Sequence, residues 1–83
     1  MNKKIAIVTG ATGSIGYKIV ESLISNNYKV IAFAQNLSKL KNLQNHSPEN
    51  IEVYSVNLKN LLDIESTFQI IKNKYNTIEL LIN

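Results

Sequence analysis

The sequence has no cysteine, no arginine and a single histidine. Without cysteine there is no disulfide framework, no zinc ribbon and no thiol nucleophile. With His46 as the sole imidazole, a transition-metal site has almost no ligands to draw on. All nine basic residues are lysines, set against six acids for a net charge of +3. The lysines are spread along the chain, as at Lys3, Lys18, Lys29, Lys59 and Lys74. Nucleic-acid binders cluster their charge and use arginine to read base edges, so no nucleic-acid partner is expected. Missing arginine beside twelve Asn and twelve Ile is the amino-acid bias of an AT-rich genome. Long apolar runs are missing too. Ile5 to Val8 spans four residues, short of the roughly 7–15 of a signal-peptide core and the roughly 20 of a membrane span. The expectation is a soluble, cytoplasmic protein with no membrane partner.

The 83 residues are 45% apolar and 18% charged, a globular composition rather than a disordered one. They suffice for one small domain, which buries only about 60–65% of the surface its unfolded chain exposes. Small folds usually carry a disulfide or metal staple. Its absence raises the question of whether these residues form a complete fold.

Hydrophobic periodicity divides the chain into alternating elements. Ile5 to Val8 is a continuous β-branched run ending near glycine, the pattern of a strand buried on both faces. From Ser14 the period becomes helical, through Ile15, Ile19, Val20, Leu23 and Ile24, and Asn26-Asn27 ends that helix. Tyr28 to Ala34 reads as a second strand. Leu37, Leu40 and Leu43 form a short helical stripe capped by Ser38 or Asn36. Gln44 to Asn50 is a loop by composition, and Ile51 to Val56 a third strand. Leu61, Ile64, Phe68, Ile71 and Tyr75 step by three and four, with Asn60 as a cap, Asp63 and Glu65 in the first turn, and Lys72 and Lys74 near the end. Ile78 to Ile82 reads as a fourth strand. The order β-α-β-α-β-α-β with short connections predicts an α/β fold with a parallel sheet and right-handed crossovers.

The most informative segment is Thr9-Gly10-Ala11-Thr12-Gly13-Ser14-Ile15-Gly16. Three glycines at intervals of three join a buried strand to an amphipathic helix. Glycine permits backbone angles that a Cβ forbids and lets the chain approach a ligand closely. The N–H groups and positive dipole at the helix start then suit a phosphate or pyrophosphate, and the Thr12 and Ser14 hydroxyls add donors. A sharp turn with close helix–strand packing is the plainer use of such glycines. Their place between the first strand and first helix of a βαβ unit favours dinucleotide binding. No Gly-Lys-Ser/Thr ends the loop, which excludes a P-loop.

The segment TGATGSIG resembles the glycine signature of the short-chain dehydrogenase/reductase family. The similarity continues through VNLKN (Val56 to Asn60), which looks like the segment after the family's third strand. It extends through IELLIN (Ile78 to Asn83), which looks like the approach to the family's Asn-Asn-Ala-Gly motif. The resemblance implies a Rossmann-like sheet with strand order 3-2-1-4, residues 1–83 being its N-terminal part. It implies a nicotinamide dinucleotide held by Gly10, Thr12, Gly13, Ser14, Ile15 and Gly16, by Gln35 and Asn36 after the second strand, by Asn57 and Leu58 after the third, and by Asn83. An aspartate usually contacts the adenine where Asn57 stands. The spacing TGxxGxxG departs from the TGxxxGxG of the compact branch and matches the extended, epimerase-like branch, whereas LLIN matches the compact one and is weighted more heavily here.

An NAD-preferring site usually places an acid about twenty residues past the glycines. None lies between Val30 and Gln44, so NADP is expected over NAD. The family often has arginine where Gln35 stands. Gln35 carries no charge, and Asn36, Ser38 and Lys39 are the candidates to share a 2′-phosphate. A solvated helix face is the plainer reading of Lys39 and Lys41. His46, beside Ser47-Pro48, is read as a solvated loop residue, because no acid or hydroxyl is spaced to form a triad with it. Tyr17, Tyr28, Tyr54 and Tyr75 are read as packing residues, and bracing its own turn is the plainer role for Asn57.

Family members catalyse with Ser, Tyr and Lys, the tyrosine and lysine four positions apart. Tyr17, Tyr28, Tyr54 and Tyr75 are followed at that distance by Glu21, Ala32, Leu58 and Glu79, so the catalytic residues are expected outside this chain. The implied parent moves hydride between NADP(H) and a small carbonyl or alcohol, for example a 3-oxoacyl compound, and is expected to be a homo-oligomer. A non-enzymatic nucleotide-binding module and an epimerase-like protein of the extended branch are the alternatives. The 83 residues alone are expected to be inactive, weakly stable and poor cofactor binders, with the fourth strand an open edge.

Overall fold

The computed structural model describes residues 3–82. Seven elements follow one another: β1 (Lys4–Thr9), α1 (Ser14–Ser25), β2 (Tyr28–Ala34), α2 (Leu37–Asn45), β3 (Ile51–Ser55), α3 (Leu61–Lys74) and β4 (Leu80–Ile82). The four strands form one sheet in the order β3-β2-β1-β4, and every pair is parallel. The register runs from Lys4 opposite Tyr28 to Thr9 opposite Phe33, and Val8 faces Ile82 on the other side. This is the expected α/β topology.

Alternation along the strands sorts their side chains onto two faces. Ala6, Val8, Val30, Ala32, Ala34 and Ile51 pack with Val20 and Leu23 of α1 and Leu40 and Leu43 of α2. Ile5, Ile7, Ile31 and Phe33 pack with Ile71 of α3 and with Val56. The first face is rich in alanine, which leaves room for two helices. The second carries larger side chains beneath one helix, where the Phe33 and Phe68 rings meet edge to face with centroids 5.4 Å apart.

Helix ends follow local chemistry. The Asn36 side chain caps α2 by accepting from Lys39 N at 3.0 Å, and Asn60 caps α3 by accepting from Asp63 N at 3.2 Å. α1 ends at Asn26, and Asn27 takes a left-handed conformation with φ 68°, a common helix stop.

The bounds of α2, β3 and β4 and two details of α3 differ from expectation. α2 runs through Gln44 and Asn45 into the segment read as loop, and backbone bonds from His46 and Ser47 to Leu43 and Gln44 close it. β3 ends at Ser55. Val56 still donates to Ala34 O at 2.9 Å, but its side chain belongs to the α3-side core. β4 begins at Leu80 rather than Ile78, because the Glu79 carboxylate takes the Ile5 N–H at 2.8 Å. Only Asp63 of the two predicted acids lies in the first turn of α3, and Leu61, expected in the buried stripe, is 67% exposed.

Candidate functional site

Parallel strands bring their C-terminal ends to one edge of the sheet. β1 is flanked by β2 and β4, so the chain reverses its direction of progress across the sheet between β1 and β4. Ligands in open α/β sheets bind in that crevice. A cavity there is lined by Thr9, the three glycines, Ser14 and Ile82 among others. The Thr9 hydroxyl spans the crevice to Ile82 O at 3.3 Å, and Gly10 N ties the turn to β2 through Phe33 O at 3.0 Å.

The three glycines have three different reasons. Gly10 sits at φ +65°, where a side chain is strained. A Cβ on Gly16 would meet Gly10 O at 2.5 Å and Ala11 backbone atoms at 2.9 Å, so α1 lies directly against the turn. Gly13 has neither constraint. It is the exposed N-cap of α1 with φ −77°, and a Cβ there would find only Gly10 O at 4.0 Å.

That N-cap is electrostatically open. Gly13 offers no side-chain cap, and the first turn of α1 has no acid. By contrast, α2 and α3 are each capped by an asparagine, and α3 adds Asp63. The first-turn N–H groups of Ser14, Ile15 and Gly16 have no carbonyl within the helix to accept them. Ser14, Ile15 and Gly16 line the crevice, and Ile15 is 75% exposed.

The remaining predicted residues gather at the same edge. Gln35 is exposed, and its carbonyl accepts from Ser55 Oγ at 2.9 Å. Asn36 is also exposed, with its side-chain oxygen committed to capping α2. Asn57 braces its turn: its Oδ1 accepts from Lys59 N at 3.0 Å, and its N–H donates to the Asp63 carboxylate at 2.8 Å. The Asn57 side-chain nitrogen donates to no acceptor among the described residues. Leu58 is 41% exposed and borders an apolar hollow with Phe33, Ile64, Phe68 and Leu81. Asn83 lies outside the described residues.

Three features were not anticipated. Thr12 shares a cavity of about 330 Å³ with Lys39, Asn42 and His46, between α1 and α2. His46, read as a loop residue, is the C-cap of α2, and its Nδ1 lies 3.4 Å from Tyr17 Oη. Away from the crevice, Glu52 receives Tyr75 Oη at 2.7 Å and Lys74 Nζ at 3.0 Å, together with the Tyr54 hydroxyl. Burial by itself raises the Glu52 carboxyl, but the bonds from Tyr54, Tyr75 and Lys74 outweigh it and hold the group below its ordinary value. Burial and the Glu52 carboxylate push the Tyr54 phenol up to about 12.

The family model for short chain dehydrogenases matches residues 4–83. The chain belongs to the short-chain dehydrogenase family. It is 32% identical over 80 residues to a 3-oxoacyl-(acyl-carrier-protein) reductase of Salmonella typhimurium, covering 96% of this chain and 33% of that protein. An NADP-dependent 3-hydroxy acid dehydrogenase of Escherichia coli is 28% identical over 79 residues, covering 95% of this chain and 32% of that one. In fold, a short-chain dehydrogenase from Streptomyces avermitilis superposes with a TM-score of 0.89 at 24% identity, over 99% of this chain and 30% of its own. An actinorhodin polyketide ketoreductase with NADPH superposes at 0.87 and 22% identity, over 95% of this chain and 31% of its own. The chain thus spans about a third of the length of the curated relatives it matches. Short-chain dehydrogenases are oxidoreductases that bind NAD(P). Among the described residues, no helix is long and apolar enough to cross a membrane.

Proposed function

We propose that this chain forms the dinucleotide-binding part of an NADP(H)-dependent oxidoreductase acting on a small carbonyl or alcohol. The observation that carries the proposal is the uncapped, acid-free start of α1, set behind a glycine that the fold does not require. A fold-neutral Gly13 makes sense as clearance for a ligand, and open N–H groups at a helix start suit a pyrophosphate. Gly10, Thr12, Gly13, Ser14, Ile15 and Gly16 hold that group. Asn57 and Leu58 border the adenine, and Gln35 and Asn36 the ribose.

The dinucleotide, when bound, supplies or accepts a hydride. The residues of this chain bind and orient it, and none of its tyrosines has a lysine four positions on to serve as a proton donor's partner. The 83 residues by themselves are therefore expected not to catalyse.

NADP is favoured over NAD because no acid stands near the end of β2 to accept from the ribose hydroxyls, and because Lys39 and Thr12 border one cavity beside the turn. With only one lysine there, the preference is modest. The names of the Salmonella and Escherichia coli relatives favour a 3-oxoacyl or 3-hydroxy acid substrate class. A cytoplasmic, homo-oligomeric parent completes the proposal. Titration of the full-length protein with NADPH and NADH tests it: tighter NADPH is expected, and NADH binding at least about tenfold tighter overturns the NADP assignment.

A further inference from the structure

The strand order leaves β3 at one edge of the sheet among the described residues. An edge strand presents unpaired N–H and C=O groups, on which another chain can pair. The bonds that β3 does make show which residues present them. Asn50 O accepts from Val30 N at 2.8 Å, and Val56 N donates to Ala34 O at 2.9 Å. Direction alternates along a strand. Glu52 and Tyr54 therefore also turn their main-chain groups to β2, whereas Ile51, Val53 and Ser55 turn theirs outward.

The outward groups are not equally open. The Ile51 N–H donates to Ser47 O at 3.0 Å. The Ile51 C=O accepts from the Gln44 side-chain Nε2, also at 3.0 Å. Gln44 lies in the last turn of α2. Ser47 opens a tight turn that Asn50 closes, with Asn50 N donating to Ser47 O at 2.9 Å and Asn50 Nδ2 to Ser47 Oγ at 2.8 Å. The end of α2 and the turn after it thus occupy both main-chain groups of Ile51. Among the described residues, nothing takes the outward groups of Val53.

Such an edge suits a second copy of itself. Two β3 strands pairing antiparallel about Val53 would set Val53 against Val53 and Ile51 against Ser55 as the residues that exchange bonds. Glu52 would face Tyr54, so no like charges would meet. While Ile51 is closed, only the central Val53 pair bonds, through two hydrogen bonds. Once the Ile51 C=O is free, each Ser55 N–H gains an acceptor and the two become four.

We propose that Gln44 guards this edge: by occupying the Ile51 C=O, its amide keeps two copies of the protein from joining their sheets through β3. This role does not depend on which cofactor the protein binds. It leaves a homo-oligomeric parent to assemble through other surfaces.

The test compares the mass of full-length wild type and variants by sedimentation across the micromolar range. Gln44→Met keeps the length of the side chain and removes the donor. Two added hydrogen bonds correspond to about five- to hundredfold tighter pairing. Gln44→Met should therefore reach about twice the wild-type mass at concentrations where wild type does not. Gln44→Lys, which restores a donor, should sediment as wild type. Adding Val53→Pro to Gln44→Met should return the wild-type mass, because proline removes an outward N–H and leaves the bonds to β2 intact. A cooperative melt in each variant reports that it folds. Gln44→Met at the wild-type mass throughout overturns the proposal. So does association that Val53→Pro leaves in place, which assigns it to another surface. Wild type offers a check that needs no variant: its Val53 amide should exchange freely with solvent, and strong protection there would show β3 already paired, against the proposal.

Discussion

Replacing Gly16 and Gly13 separately by alanine distinguishes the two uses of the glycine turn. In Gly16→Ala the new methyl would lie 2.5 Å from Gly10 O and 2.9 Å from the Ala11 Cα and carbonyl carbon. These are backbone atoms, and Gly10 is tied to β2 through Phe33 O, so relief requires α1 to move away from β1. Overpacking of this kind costs about 1–3 kcal/mol, while alanine in place of glycine returns up to about 1 kcal/mol of helix propensity. Contact with backbone puts the steric cost at the upper end, for a net loss of about 2 kcal/mol. In Gly13→Ala the nearest atom is 4.0 Å away and φ is −77°, so no clash arises and only the poorer N-cap costs stability, about 0.5–1 kcal/mol. Thermal melting of the full-length protein reads both, since about 1 kcal/mol corresponds to roughly 2–4 °C in a domain of 150–250 residues. Gly16→Ala should lower the midpoint by several degrees, and Gly13→Ala should lower it clearly less while weakening NADPH. An unchanged midpoint in Gly16→Ala would refute the close approach of α1 to the turn. Unaltered NADPH affinity in Gly13→Ala would refute the ligand clearance.

Two further outcomes follow from the packing. Glu52→Gln should destabilise the fold by about 1–2 kcal/mol near neutral pH, the scale of a charge-assisted bond weakened by solvent. Because the Glu52 carboxyl is lowered in the folded state, its contribution is complete above the ordinary value of 4.5 and is lost as the pH falls through the folded value. Denaturant midpoints of wild type and variant should therefore converge in acid, and a constant gap would contradict the network. The 83 residues expressed alone should associate through the β4 edge, where Leu81 is 51% exposed; a cooperative melt at a monomeric mass and micromolar concentration would oppose this.

Much of the fold was legible because local signals agreed. β2 begins at Tyr28 and ends at Ala34 as the apolar run does, Asn26-Asn27 stops α1, and Asn36 and Asn60 cap the helices they precede. Departures arose where a side chain displaced a backbone partner or a pattern exceeded its element. Glu79 takes the Ile5 amide and shortens β4. Leu61, at the first position of α3, precedes the part of the helix that reaches the sheet. Polar Gln44 and Asn45 read as loop, yet main-chain bonds hold them in α2. In the site, the glycine turn was legible because its spacing is local. The clustering of Thr12 with Lys39 and His46 depends on helix packing, and Glu52 draws partners 22 and 23 residues away. No window of sequence displays such pairings.

The central claim is that the open start of α1 holds the dinucleotide. Backbone amide resonances of the isotope-labelled full-length protein, followed during NADPH titration, test it most directly. The amides of Ser14, Ile15 and Gly16 should shift saturably and more than those of the capped starts of α2 and α3. Saturable binding that leaves these three amides unmoved would contradict the account.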